Sequence, residues 1–266
     1  MFDLARSRAS EREQLRIADL MSLTPPGDRV LEIGARDCYL SRRLSDLYRE
    51  VVALDLQRPV VDHPGIVPVQ GDVTDLRFGD GTFDTVFCTE VLEHVPPEKL
   101  VRACDEIERT TSRYAVIGVP YRQDLRADRT LCRRCGTVNP ATGHLNRFDR
   151  RRLEALFPRM RVVEARLTGQ GRAVTNPLSV WLYRLCGYPY GSYDQEEGCI
   201  RCGAPLERPK IGPGRWALCF VARTLNRMQF YLYGRRRPIW IHLLFEKCDS
   251  AAPAAPVASS RPHSVR

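Results

Sequence analysis

The chain has 266 residues, with a hydrophobic fraction of 43%, a charged fraction of 27% and a formal net charge of +9. This length can bury one large domain, or one domain with an appendage, and the composition is that of an ordinary globular protein. The N-terminal residues lack the apolar run of a signal peptide, and no apolar stretch is long enough to cross a bilayer. We therefore expect a cytoplasmic protein, in which ten cysteines indicate metal ligands and buried thiols rather than disulfides.

The charge is divided unevenly along the chain. Residues 1–130 carry a net charge of −5, whereas residues 131–266 carry +14. Such a basic half can attract phosphate groups on nucleic acid, nucleotide sugars, lipid carriers or a membrane surface. The three lysines show that almost all of the positive charge is arginine, a bias that genome composition also produces. A phosphate-bearing partner and a purely compositional cause therefore both stay open.

The first 120 residues alternate short apolar runs with helical patterns. We predict helices over 5–23, 39–48 and 96–111, and strands over 29–35, 51–57, part of 65–76, the start of 83–95, and 114–120. Strands that alternate with helices predict an α/β fold with a doubly wound, largely parallel sheet. Right-handed crossovers bring the loops that follow the strands to one edge, where ligands bind.

The pattern changes after Pro120, which leads to six predicted regions. They are a Rossmann-like core (1–120), an insertion with a first CxxC pair (121–147), a return to the core by a helix and a strand (148–169), a second insertion with a second CxxC pair and a helix over 215–234 (170–236), a final core strand (237–248) and a disordered tail (249–266). The stretch 170–214 is expected to be irregular because it is rich in glycine, proline and tyrosine.

Two acids follow predicted strands at offsets that suit a nucleoside. Asp55 ends the second strand about 20 residues after the first loop, where a carboxylate can accept hydrogen bonds from both ribose hydroxyls. Asp72 follows the third strand, where it can meet the exocyclic amine of an adenine. A single acid after a strand is more often a helix cap or a solvated turn residue. The two acids together, in this strand order, favour a nucleoside site.

Four segments carry a resemblance to a known family. VLEIGARDCYLS, VVALDLQ, GDVTDLRFGDGTFDTVFCTEVLEHV and GHLNRFDRRRLEALF resemble successive motifs of class I methyltransferases, and most closely the broad type 11 family, which includes methyltransferases of ubiquinone and menaquinone biosynthesis. The resemblance covers about residues 10–170. It implies a Rossmann-like sheet of seven strands, with the last strand antiparallel, and S-adenosylmethionine as cosubstrate.

The resemblance also implies which residues hold this cosubstrate. Glu32, Gly34 and Ala35 belong to the first loop, Asp55 and Leu56 to the ribose contact, Asp72 and Val73 to the adenine contact, and Thr89 and Glu90 to the methionine contact. The family usually has glycine where this chain has Arg36 and Cys38. A Cβ at these positions costs backbone freedom and narrows the loop, which argues against a dinucleotide and leaves open a weakened or lost cofactor site.

The cysteines include two pairs of one form, Cys132-Arg-Arg-Cys135-Gly and Cys199-Ile-Arg-Cys202-Gly. The two-residue spacing allows both thiolates of a pair to bind one ion, and the glycine permits the left-handed turn that closes it. Four thiolates are typical of a structural zinc site, which would staple the two insertions together beside the active-site edge. A redox CxxC, an iron–sulfur cluster and chance are the alternatives, and His144 could replace one thiolate.

Methyl transfer from a sulfonium requires alignment of donor and acceptor, and a hydroxyl acceptor can need a general base. His144, Glu90, His94 and Tyr121 are the candidates, although packing at a helix start is the more common role for a histidine placed like His94. The two insertions should form a lid over the acceptor. Their tyrosines, which include Tyr183, Tyr188, Tyr190 and Tyr193, could stack on a sugar or an aromatic ring or could simply pack.

Three functions fit the sequence. The first is O-methylation of a small molecule or a saccharide, which could bear phosphate, in glycan or natural-product biosynthesis. The second is an RNA methyltransferase that grips RNA with its basic half. Against it, no Asn/Asp-Pro-Pro-Tyr-like motif follows the fourth strand, and aromatic and basic residues do not interleave as in RNA-binding sheets. The third is a non-catalytic binding protein that kept the fold.

Overall fold

The core of the molecule is a single seven-stranded sheet. The computed structural model describes residue 8 and residues 10–171, 175–195, 198–233 and 237–248. The strand order is β3-β2-β1-β4-β5-β9-β8, and every pairing is parallel except those that β9 makes with β5 and β8. The predicted Rossmann-like α/β fold, with its last strand inserted antiparallel, is therefore confirmed. The predicted tail at 249–266 lies outside the described residues.

The sheet strands are β1 (Gly27–Ile33), β2 (Tyr48–Asp55), β3 (Ile66–Gln70), β4 (Phe83–Thr89), β5 (Thr111–Pro120), β8 (Met160–Thr168) and β9 (Trp240–Lys247). A separate two-stranded hairpin is formed by β6 (Thr130–Leu131) and β7 (Val138–Asn139). The α-helices are α1 (Glu11–Leu23), α2 (Tyr39–Leu44), α3 (Leu100–Thr110), α4 (Arg150–Leu156), α5 (Pro177–Cys186) and α6 (Pro213–Tyr233).

Helices cover both faces of the sheet, as a doubly wound fold requires. Side chains alternate along each strand, so Val86 and Cys88 of β4 point into one core and Phe87 points into the other. The first core is completed by Ala103 and Ile107 of α3 and by Leu153 of α4. The second core is completed by Leu20 and Leu23 of α1 and by Leu44 of α2. The central strands are buried on both sides and therefore read as continuous apolar runs.

The insertions contain more regular structure than predicted. The stretch 170–214 was expected to be irregular, but α5 lies within it at Pro177–Cys186. Its signals are local: Asn176 caps the helix in a capping box with Ser179, proline occupies the first turn, and Gly187 ends the helix with a φ of +76°. The prediction that this stretch is irregular was wrong because it was based on the glycine and proline content and did not consider these capping residues.

Two other elements differ in length from the predictions. The helix predicted over 39–48 ends at Leu44, because β2 already begins at Tyr48. The final strand begins at Trp240 rather than at residue 237. Within the part of the chain that the structure describes, no helix has the length and apolarity needed to span a membrane.

Candidate active site and cysteine cluster

The loop after β1 has an unusual backbone. Gly34, Arg36 and Cys38 adopt positive φ angles of +84°, +47° and +58°. The two positions at which the family has glycine therefore keep the left-handed conformation even though both residues carry a Cβ, at a cost of about 1–2 kcal/mol each. A Cβ on Gly34 would lie 2.4 Å from Cγ2 of Val91, so this glycine is also required by the loop that follows β4.

The carboxylate of Asp55 fixes this loop from the end of β2. Its Oδ2 accepts a hydrogen bond of 2.9 Å from the backbone N–H of Arg36, and Gly34 and Ala35 donate to the carbonyl of Leu54. Glu32, on β1 just before the loop, is buried and accepts a hydrogen bond from the Ser41 hydroxyl; burial raises the pKa of Glu32 to about 8. Asp55 therefore connects the first two strands at the ligand edge.

A cleft of about 510 Å³ opens beside Asp55, at the ends of β2 and β3. Asp72 lies on its rim and accepts a hydrogen bond of 2.8 Å from the backbone N–H of Thr74. Leu56, which is 68% exposed, and Phe78 supply apolar walls. Val73 is buried in the core behind the cleft. The cleft therefore combines apolar walls with polar side chains, which include the carboxylates of Asp72 and Asp75, and this combination suits the flat ring and the amine of an adenine.

A larger cavity of about 830 Å³ lies over the ends of β4, β5 and β9. Three of the four predicted catalytic candidates line it: Glu90, Tyr121 and His144. Most of the other lining residues belong to the first insertion, and Gln229 and Phe230 of α6 close one side. The insertions therefore wall this cavity, and Glu90 lines it from the end of β4, directly before Val91, which lies against Gly34 of the β1 loop.

Glu90 occupies a partly buried, strained position. Its φ is +55°, its Oε2 accepts a hydrogen bond of 3.3 Å from the indole N–H of Trp240, and its buried Oε1 has no hydrogen-bond partner among the described residues. Burial raises the pKa of Glu90 to about 7, although the positive charge of Arg16 opposes this rise. Arg16 reaches the site from α1, is paired with Glu13 and stacks on Trp240 at 5.7 Å. Sequence reasoning missed Arg16 and Trp240.

The fourth candidate, His94, lies against His144 beneath the same cavity. The two imidazole rings meet edge to face at 4.6 Å, and the Nδ1 of His144 is 2.6 Å from Oε1 of Gln123. Burial, assisted by His94, lowers the pKa of His144 to about 4. Glu93 is fully buried, and within the described part of the chain neither of its carboxylate oxygens has a hydrogen-bond partner. Donor atoms of Glu93, His94 and His144 lie within 4.8 Å of one another, a convergence that the sequence did not predict.

The two CxxC pairs meet in space. The Sγ atoms of Cys132 and Cys202 are 3.7 Å apart, those of Cys135 and Cys199 are 3.5 Å apart, and all four lie within 4.8 Å of one another. A Zn–S bond of about 2.3 Å places tetrahedral thiolates about 3.8 Å apart. The donor set and its spacing therefore fit a zinc ion.

The turns around the two pairs are equivalent. Gly136 and Gly203 have φ angles of +72° and +66°, and their N–H groups donate to the carbonyls of Cys132 and Cys199. The first pair lies on the β6–β7 hairpin, and Asn139 of β7 accepts a hydrogen bond of 2.9 Å from the N–H of Ile200. The two insertions are therefore already in contact around the thiols.

Comparisons with known proteins agree with this geometry. Residues 31–116 match the family described as "Methyltransferase domain". Over 93 residues the chain is 40% identical to the ubiquinone biosynthesis O-methyltransferase of Xanthomonas axonopodis pv. citri (strain 306), a match that spans 31% of this chain and 39% of the relative.

Two solved structures show the same fold. One is a SAM dependent methyltransferase from Archaeoglobus fulgidus, with a TM-score of 0.53, 14% identity, and coverage of 91% of this chain and 97% of that one. The other is the [4+2]-cyclase SpnF, with a TM-score of 0.51, 15% identity, and coverage of 91% and 83%. The match at 31–116 and the shared fold confirm the resemblance to methyltransferases that the sequence predicted.

Proposed function

We propose that the protein transfers a methyl group from S-adenosylmethionine to a hydroxyl of a small molecule or saccharide. The observation that carries the proposal is that Glu90 lines the 830 Å³ cavity while Val91, the next residue, lies against Gly34 of the β1 loop. A donor held on one side and an acceptor held on the other would meet at this point.

The residues for the donor lie along the edge of the sheet. Asp55 would accept from the ribose, Asp72 and the backbone of Val73 would hold the adenine, Leu56 would cover the ring, and Thr89 and the loop residues Glu32, Gly34 and Ala35 would border the methionine part. S-Adenosylmethionine, when bound, supplies an already activated methyl group. The protein's own contribution is therefore to align the acceptor oxygen and to exclude water.

Glu90 is the best candidate for the general base. A base works best when its pKa lies near the working pH, and burial brings the pKa of Glu90 to about 7. His144, whose pKa falls to about 4, stays neutral at pH 7. If its Nδ1–H donates to Gln123, its Nε2 is left to accept a hydrogen bond from a second hydroxyl of the acceptor molecule. Tyr121 lines the cavity, and His94 supports the ring of His144.

We further propose that Cys132, Cys135, Cys199 and Cys202 bind one structural zinc ion. Four thiolates leave no open coordination position, so the ion would act by holding the two insertions together. Because those insertions wall the 830 Å³ cavity, the zinc would fix the shape of the acceptor site.

Two alternatives are open to test. RNA methylation is favoured by the arginines that line the cavity, namely Arg122, Arg126, Arg147 and Arg237. A non-methylating role is favoured by the fold shared with a protein described as a [4+2]-cyclase. Calorimetry with S-adenosylmethionine is the first experiment, because absence of binding removes both methyltransferase functions. A labelled-methyl screen against phenols, sugars, sugar phosphates and RNA then selects between acceptors, and transfer to RNA alone would overturn the small-molecule proposal.

A further inference from the structure

Helix α6 leaves one face of large apolar side chains in solvent. We define its outer face as Trp216, Phe220, Val221, Met228, Tyr231 and Leu232, which are between 46% and 72% exposed. At 3.6 residues per turn these residues lie on the side opposite Cys219 and Ala222, which are fully buried. The helix has 21 residues, so the face runs along about 31 Å.

The exposed apolar area is comparable to the largest apolar patch on a typical monomer. An aromatic side chain presents about 150–250 Å², so the exposed parts of Trp216, Phe220 and Tyr231 alone amount to on the order of 300–450 Å². The largest apolar patch on a typical monomer is about 300–600 Å², and such a patch commonly binds a partner. Val221, Met228 and Leu232 extend this one further, so the outer face has the size of a binding surface.

The opposite side of α6 is accounted for within the molecule. Among the described elements, α6 packs most extensively against α5, and the two helices run antiparallel. Asn176, at the start of α5, bonds to Asn226 near the end of α6, and Cys186, at the end of α5, bonds to the carbonyl of Arg215. The hairpin formed by α5 and α6 holds α6 in place, and the outer face points away from α5.

The charges of the hairpin select the occupant. Together α5 and α6 contain four arginines, Arg184, Arg215, Arg223 and Arg227, and no aspartate or glutamate. Arg223 and Arg227 are one turn apart along the edge of the outer face, and the chain continues with Gly-Arg-Arg-Arg at 234–237. A second copy packed face to face would bring these like charges together with no acid in either helix to neutralise them. An anionic surface neutralises them directly.

We propose that the outer face of α6 docks the protein on anionic lipid membranes. A helix with Trp, Phe and Leu on one face and arginine at its flanks lies in the plane of a membrane interface, with its apolar side among the acyl chains. Tryptophan and tyrosine favour this interface, and arginine side chains can reach from it to lipid phosphates. Gln229 and Phe230 of the same helix line the 830 Å³ cavity, so docking would bring the cavity wall to the lipid surface.

The test is cosedimentation of the full chain with vesicles of phosphatidylcholine containing 30% phosphatidylglycerol, compared with phosphatidylcholine alone. We expect binding to the anionic vesicles that weakens with salt. The Phe220→Ser/Tyr231→Ser variant should lose most of this binding. The Arg223→Gln/Arg227→Gln variant should bind more weakly by about fivefold for each charge removed. Both apolar residues are exposed, so their replacement leaves the fold intact.

The controls are matched in exposure and charge. Val60→Ser/Val101→Ser removes two exposed apolar residues outside the hairpin, and Arg42→Gln/Arg58→Gln removes two exposed charges from the methyltransferase domain. Both should bind as the parent protein does. Failure of the parent to bind anionic vesicles overturns the proposal. So does light scattering that shows a dimer which dissociates in Phe220→Ser/Tyr231→Ser, because the outer face would then be covered by a second copy.

Discussion

Gly34 is held by two independent constraints. Its φ of +84° is costly for any residue with a Cβ, and a Cβ built there lies 2.4 Å from Val91. We therefore expect Gly34→Ala to lower the free energy of unfolding by about 2–4 kcal/mol, from backbone strain and overpacking together. Denaturant titration measures this loss.

Gly79→Ala is the matched control for this change. The nearest atom to a Cβ at Gly79 is 3.4 Å away, and its φ is not in the left-handed region. Its stability should change by less than about 0.5 kcal/mol, as for most surface substitutions. Equal losses in the two variants would contradict the account of the β1 loop.

Glu90 gives the proposed reaction its expected pH dependence. A base must be ionised, and the pKa of Glu90 is raised to about 7, so kcat should rise with pH through about 7 and fall below it as the carboxyl becomes protonated. Glu90→Gln keeps the shape but removes the base, and kcat should fall by about 100-fold or more. Steady-state rates from pH 6 to 8 measure both effects.

The control for Glu90→Gln is Glu98→Gln, an exposed acid outside the site, which should leave the profile unchanged. Calorimetry with S-adenosylmethionine separates a lost base from a lost cofactor site, because the sequence also predicts that Glu90 contacts the methionine part. A flat pH profile with normal turnover in Glu90→Gln would exclude Glu90 as the base.

At the scale of single residues, the sequence predicted the placement of polar residues that follow strands, but it missed residues that reach the site from distant helices and strands. Asp55 and Asp72 could be predicted because an acid after a parallel strand has a fixed place at the ligand edge. Arg16 lies on the N-terminal helix and Trp240 on the final strand, and only the tertiary fold brings both to Glu90. Glu93 could not be distinguished from an ordinary surface acid, because its neighbours in the sequence do not indicate that it is buried.

The two CxxC turns form one unit only after the chain has folded. With zinc bound, we expect one equivalent of metal per chain, measured by elemental analysis of the purified protein. Cys132→Ser should lose the metal and should raise amide hydrogen exchange in the β6–β7 hairpin and at 199–204. The sheet should keep its protection, because none of its strands contacts the four thiols through a hydrogen bond among those described.

Cys248→Ser is the control for this change because Cys248 is an exposed, free thiol outside the cluster. It should retain the metal and the exchange pattern of the parent. A metal-free parent protein with a protected hairpin would contradict the zinc proposal and leave hydrogen bonds such as that between Asn139 and Ile200 to join the insertions.

A second link between the insertions is the Asp124 carboxylate. It accepts hydrogen bonds from Arg126 and from the backbone N–H and hydroxyl of Thr175. Burial acts to raise the pKa of Asp124, but these bonds outweigh it and lower the pKa to about 2. The stabilisation that Asp124 contributes is therefore fully present above about pH 3.9, the pKa of an aspartate in the unfolded chain, and is lost as the pH falls through about 2.

Asp124→Asn should weaken this link by about 1–3 kcal/mol, since a charged acceptor is replaced by a neutral one. Faster hydrogen exchange of the Thr175 amide at pH 7 measures the change. Asp194→Asn, another acid in the insertions but an exposed one, should leave that amide protected. Unchanged exchange in Asp124→Asn would show that the insertions are joined without it.

At the scale of elements, periodicity predicted the strands well and the insertions poorly. The core strands are buried on both sides, so each appears as a short apolar run whatever its neighbours are. The limits of α2 depend instead on where β2 begins, and α5 depends on caps at Asn176 and Gly187 within a sequence that is otherwise typical of a loop. The β6–β7 hairpin has two residues in each strand, too few for any periodicity to show.

For the whole molecule, the doubly wound, largely parallel sheet followed from the alternation of strands and helices, and the antiparallel last strand followed from the family resemblance. Contacts between distant parts of the chain did not follow. Asp19 of α1 pairs with the buried His242 of β9, 223 residues away, and also accepts from Thr168 and Arg166 of β8. These contacts fasten the N-terminal helix to the last two strands and so bring Arg16 to Glu90, but each partner taken alone is an ordinary charged or polar residue.

Binding of the proposed cosubstrate should also increase the stability of the whole chain. A ligand that binds only the folded protein at 100 times its Kd adds about 2.7 kcal/mol, which for a chain of this size raises Tm by about 5–10 °C. S-Adenosylmethionine should produce this shift in the parent protein, as measured by scanning calorimetry. Asp55→Ala should abolish it, whereas Asp62→Ala, an exposed acid after the same strand, should not. An unchanged Tm at millimolar S-adenosylmethionine would mean that the parent protein does not bind this ligand, as expected if the side chains of Arg36 and Cys38 block the β1 loop.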